Sequence, residues 1–314
     1  MNDLVDRARF AAFLTAHRCS ATHDRNQTIA LMTMRPFDVW WRHVRWPVYV
    51  FVPLALVFAF SDLDLSIARA LFFDSAHGHW RGADSAWATV VLHTGGRWAM
   101  RVLVFAAILA WAATFANPAI RAWRRSLGYF VIAAVLGVGV VGLLKVLTNV
   151  DCPWDLQPFG GAFPFVHLFA DRPDALRRAA CFPAAHASSG YALVALYFVW
   201  RERDERRARI GLALGIAVGC LFGIAQQARG AHFLSHDLWS AFIVWIIAAS
   251  VYAFGFQARL AAPALSSDER CVHRESSIAR ARHSRAAARP DADPDGGDGV
   301  GGERRESPRQ RRTE

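Results

Sequence analysis

The chain has 314 residues, 54% of them hydrophobic, with 12 tryptophans. Its apolar residues fall in blocks too continuous for a soluble domain. The formal charge of +10 does not indicate nucleic acid as a partner, because the arginines lie mostly between those blocks, where they report topology.

Residues 1–38 read as a polar cytosolic extension. They hold no apolar core of the kind a cleavable signal peptide needs, and Met32 and Met34 are alternative starts. The first membrane helix is then the insertion signal. Residues 39–260 read as an all-α membrane domain, a bundle of six transmembrane helices. The expected spans are Trp46–Ser61, Trp98–Ala116, Gly128–Val150, Ala184–Trp200, Ile210–Ala225 and Phe233–Phe256, each near the length a bilayer core of roughly 30 Å requires. The first is the shortest. The second carries Arg101 near one end, where it can snorkel. The fourth opens with polar residues that a lipid-facing helix would not carry.

The links between spans alternate in charge. The segment before Trp46 has seven Arg, Asn117–Leu127 has three and no acid, and Arg201–Arg209 has five. Asp62–Arg97 and Asp151–Pro183 each set three Arg against four Asp, and Gln226–Ala231 has one Arg. By the positive-inside rule the first set is cytoplasmic and the second faces outward, which puts both termini inside. Residues 261–314 read as a disordered cytosolic tail. From Pro263 on there are 11 Arg and 10 acidic residues and too few large apolar side chains to offset the entropy of ordering.

Lys145 is the sole lysine among 36 basic residues, and it ends the apolar run that forms the third span. A charge there is costly and marks function more often than chance. The topology puts three polar clusters on one outer face: Lys145 at the end of the third helix, His186 in the first turn of the fourth, and Arg229, His232, His236 and Asp237 at the start of the sixth. Helix N-termini add unpaired N–H groups and partial positive charge. This assembly suits phosphate.

The three clusters resemble the motifs of the type-2 phosphatidic acid phosphatase superfamily. The first motif, a Lys, six residues and Arg-Pro, corresponds to Lys145, Val146–Asp151 and Cys152-Pro153. The second, Pro-Ser-Gly-His, reads Pro183-Ala184-Ala185-His186. The third, Ser-Arg, five residues, His, three residues and Asp, corresponds to Arg229 and His232-Phe233-Leu234-Ser235-His236-Asp237. The chain is most similar to a divergent bacterial branch with Cys-Pro-Trp-Asp-Leu and Arg-Gly-Ala-His-Phe-Leu-Ser-His-Asp in place of the common forms. The departures are Cys152 for the first Arg, with Arg177 and Arg178 as candidate substitutes, Ala184 and Ala185 for Ser and Gly, and a shortened third motif.

The resemblance implies a hydrolase of membrane lipid phosphates or diphosphates, working without cofactor or metal in a bacterial inner membrane, with its site facing the periplasm. It implies His232 as nucleophile, His186 as general acid, Lys145 and Arg229 as phosphate ligands, and Asp237 as the group orienting His232, with His236 a rival both for that role and for the nucleophile. The expected partners are the lipid substrate and the bilayer, without nucleic acid. Two other functions stay open: a non-catalytic relative that binds lipid phosphates or serves as a subunit, and metal or haem binding through His232 and His236. Cys152 and Cys181 both fall in one outward loop, in an oxidising compartment, and are a disulfide candidate.

Overall fold

The computed structural model describes residues 35–257 except Asp174. The tail from residue 261, the stretch before residue 35, and Cys19 and Cys271 lie outside the described residues.

Helix α1, Pro36–Ala59, opens with proline at its first turn, where the missing N–H is no loss. It begins ten residues before the expected start. Val39, His43 and Val44 are buried against the bundle, and that packing outweighs the polar look of Arg42 and Arg45. A short α2, Leu63–Phe72, follows at 83° to α1. Phe73–Asp74 (β1) and His79–Trp80 (β2) then form a two-stranded antiparallel hairpin, a feature the all-α expectation did not contain. Helix α3, Trp87–Ala116, starts as wide π-type turns over Trp87–Gly95 before the regular stretch Gly96–Ala116. Helix α4 follows as Arg124–Leu147. Helix α5 covers 185–200 with a tighter turn at Ala192–Val194. Helix α6 is Glu205–Ala228 and α7 is Leu234–Gln257.

Among the described residues, four helices are long and apolar enough to cross a membrane: α3, the 3₁₀ turn and α4 taken together as Pro118–Leu147, α6 and α7. A fifth span arises if α1 and α2 count as one bent element. Helix α5, the expected fourth span, is not among them. With 16 residues at 1.5 Å each, α5 reaches only about 24 Å, short of the hydrocarbon core, and most of its length is buried inside the bundle.

Helices α5 and α6 approach closely because α6 carries glycine at 211, 215 and 219. A Cβ at Gly219 would fall onto the Tyr191 ring, and one at Gly211 would lie 2.7 Å from Leu196 Cβ. Small residues every fourth position are how membrane helices gain backbone contact without a hydrophobic driving force. Helix α7 is tied to α1 by Trp245 Nε1 donating to His43 O at 2.9 Å and by Phe51 stacked on Phe242, centroids 4.0 Å apart. The Tyr129 hydroxyl of α4 donates to Ala248 O at 3.0 Å.

A second, smaller core lies at one end of the bundle. Phe73, Trp80, Leu156, Phe159 and Phe233 are buried together, so the hairpin and the loop after α4 form a cap over the helix ends that carry the polar clusters.

Candidate active site

The three clusters share one cleft of about 920 Å³. Lys145, His186, Arg229 and His232 all line it, as do Cys152 and Cys181. Lys145 comes from the last turn of α4, His186 from the first turn of α5, and Arg229 and His232 from the turn between α6 and α7.

The turn that carries His232 is built tightly. Gly230 has φ of +75°, a left-handed value that glycine adopts freely, and a Cβ there would collide with the Trp80 ring at 2.4 Å. Gly230 O accepts from Trp154 N at 2.9 Å, and Ala228 O accepts from Gly82 N at 2.8 Å. Asp64 of α2 accepts from Ser235 N at 3.1 Å, satisfying an N–H that the start of α7 would otherwise leave unpaired. His232 is thus fixed from both sides, and only 5% of its surface is exposed.

Around His232 the neighbours differ from the expectation. His236 Nδ1 lies 3.4 Å from His232 Nδ1 and donates to Cys181 O at 3.0 Å. Asp237 points elsewhere: its Oδ2 accepts from Gln227 Nε2 at 2.6 Å. The reason is helical geometry. Successive residues on α7 are about 100° apart, so when His236 faces His232, Asp237 faces α6. The orienting role expected of Asp237 therefore has no contact behind it, whereas His236 has one. Burial first, then the charges of His236 and Lys145, hold His232 well below the ordinary histidine value, so its ring is neutral near pH 7. Burial also lowers Arg229, a shift that leaves a guanidinium charged.

His186 is clamped between rings. It stacks on Phe222 with centroids 4.5 Å apart and planes 20° from parallel, and His93 meets it edge-on at 5.0 Å. Its Nε2 donates to Leu92 O at 3.0 Å, a carbonyl in the π-type turns of α3. Such turns disturb the regular ladder and recur at functional sites.

Cys152 and Cys181 are joined as a disulfide, with Cα atoms 5.2 Å apart. The two candidate substitutes for the missing arginine are engaged elsewhere: Arg177 pairs with Asp155 at 2.9 Å and Arg178 donates to Val146 O at 3.2 Å. Neither lines the cleft. The loop's buried ion pair is instead Arg172 with Asp151, at 2.9 Å.

Three cleft residues escaped the sequence reading: His93, Arg97 and Gln226. Gln226 Nε2 donates to His93 Nδ1 at 3.1 Å, and Gln226 Oε1 accepts from Arg229 at 2.9 Å. The available signal was the spacing of His93, Arg97 and Arg101, four residues apart on one helical stripe. As for a metal, no group of three or more His, Cys, Asp or Glu residues stands together among the described residues. His232 and His236 are then two ligands short of a closed tetrahedral set.

Neither the curated proteins nor the solved structures contain a match to this chain. The PAP2 superfamily model, whose members are generally phosphatases, matches residues 126–260 of this chain, the segment that contains Lys145, His186, Arg229 and His232.

Proposed function

We propose that this protein is an integral-membrane phosphatase that hydrolyses the phosphomonoester or diphosphate of a membrane lipid through a phosphohistidine on His232. The observation that carries this reading is the convergence of His232, His186, Lys145 and Arg229, from separate elements, on one cleft. Below these polar groups the cleft wall is apolar, with Met100, Val104, Phe105 and Ile108 of α3 facing Ala134 and Val138 of α4. Such a wall suits a hydrocarbon chain attached to the phosphate.

In this mechanism the His232 lone pair attacks phosphorus, and the bond from phosphorus to the lipid oxygen breaks. His186, entering this step as the imidazolium, gives that oxygen a proton. Its Nε2–H is held by Leu92 O, which leaves Nδ1 as the nitrogen that exchanges a proton with the leaving group. Water then attacks the phosphohistidine, with His186 taking the proton back, and inorganic phosphate leaves. Lys145 and Arg229 offset the charge that gathers on the phosphoryl oxygens. His236, held by the Cys181 carbonyl, orients the His232 ring beside it, the task assigned from sequence to Asp237. The arginine distribution supports a site on the outer face of a bacterial inner membrane, with both termini inside.

Phosphate release from short-chain lipid phosphates by the purified full chain is the test. Wild type should turn over, and His232→Ala and Lys145→Ala should each abolish release while still inserting into membranes. Near-normal turnover by His232→Ala with a dead His236→Ala would move the nucleophile to His236. Activity in both alanine variants, or none in wild type with binding retained, would replace the enzyme by a lipid-phosphate-binding protein.

A further inference from the structure

The α3 wall of the cleft carries cations that the three motif clusters do not account for. His93, Arg97 and Arg101 recur every fourth residue, so they form one stripe, and all three line the cleft that holds Lys145, His186, Arg229 and His232. Among the described residues, no Asp or Glu lines that cleft. The stripe is coupled to the site at its first step, through the hydrogen bonds His93–Gln226–Arg229 and the packing of His93 on His186. Arg97 comes one turn later and makes no hydrogen bond or ion pair among the described residues. Arg101 differs: its guanidinium lies over the Trp98 ring, 5.1 Å from the centroid.

A guanidinium on a membrane-crossing helix is costly unless it faces a cavity and a counter-charge. Here the cavity is present and the protein supplies no acid, so the counter-charge belongs to the occupant. Meanwhile residue 152 is half of a disulfide, and Arg177 and Arg178 are bonded outside the cleft. We infer that Arg97 is a phosphate-binding residue, supplying from α3 the guanidinium that Cys152 cannot. Its planar fork binds two phosphoryl oxygens at once, which an ammonium cannot do. It stands on a different wall of the cleft from Lys145 and Arg229, so the phosphate is held between helices that come from outside and inside the matched segment.

This inference rests on reading the cleft as a phosphate site, and its test separates the two. Binding of orthovanadate to the full chain in detergent is measured by calorimetry for wild type, Arg97→Gln, Arg97→Lys and Arg101→Gln, alongside phosphate release by wild type and His232→Ala. Arg97→Gln should weaken orthovanadate about tenfold or more, as loss of a charge-assisted pair does. It should also raise KM more than it lowers kcat. Arg97→Lys should recover part of the loss, and Arg101→Gln should stay within about twofold of wild type. Orthovanadate affinity within twofold of wild type in Arg97→Gln, or an equal loss in Arg101→Gln, overturns the assignment. If that happens while His232→Ala abolishes release, the phosphatase reading stands and Arg97 alone is wrong. A wild type that binds no orthovanadate overturns both.

Discussion

Gln227 Nε2 donates to Asp237 Oδ2 across 2.6 Å, joining α6 to α7 behind the turn that carries His232. Both residues are buried, and the bond holds the helices rather than the nucleophile. Asp237→Asn should therefore lower thermal stability, by about 1–3 kcal/mol for a disturbed buried hydrogen bond, while the folded fraction keeps turnover within about tenfold. His236→Gln should do the reverse, cutting kcat with little change in melting temperature. Active-site titration beside thermal unfolding separates these patterns, and a dead but stable Asp237→Asn would restore Asp237 as the orienting group.

The depressed His232 value has a signed consequence for stability. In the unfolded chain a histidine takes up a proton as pH falls through about 6.5, whereas folded His232 stays neutral. The unfolded state then binds more protons, so stability is lost as pH falls below that value. The melting temperature of wild type should drop between pH 7.5 and pH 5.5, and His232→Asn should make that drop shallower. An unchanged slope in the variant would mean that His232 is protonated in the folded protein.

Closing a loop across a sequence separation of 29 removes denatured-state freedom worth about 3–4 kcal/mol in the chain-entropy account. Replacing Cys152 and Cys181 together by serine should cost that order of stability. It should also lower kcat, because the Cys181 carbonyl holds the His236 ring that stands against His232. Mass spectrometry of non-reduced peptides from exported protein should recover the linked pair, and free thiols at both positions in active protein would refute the bridge.

Sidedness can be read by labelling. A cysteine in place of Asp171 should react with a membrane-impermeant reagent added to intact cells. One in place of Arg203 should react only after the membrane is opened. The reverse pattern would put the chemistry in the cytosol.

The legibility of this chain varied with the kind of signal. His186, Lys145, Arg229 and His232 could be found because their residue types and spacings are unusual in apolar surroundings, and the structure brings them to one cleft. The start of α3 could not, since His93 and Arg97 look like a polar link until the cleft explains their helical stripe. The ends of α5 were read within a residue, because Pro183 before it and the charged run after Trp200 mark both ends. The direction of Asp237 depends on which face of α7 meets α6, which is a packing outcome. The hairpin at Phe73–Asp74 and His79–Trp80 is too short to leave an alternating pattern.

Trp80 over Gly230, Gly82 bonded to Ala228, Asp64 bonded to Ser235 and Leu92 bonded to His186 have one thing in common. In each pair the first residue precedes the segment 126–260 that the superfamily model matches. The stretch that carries the chemistry is thus not the stretch that can hold it still. A fragment trimmed to those bounds would contain Lys145, His186, Arg229 and His232 and still leave the catalytic turn without its clamps. Residues 64–92 have the standing of a permanently attached chaperone for the turn they cover, and grafting this chemistry onto another bundle would require carrying them along.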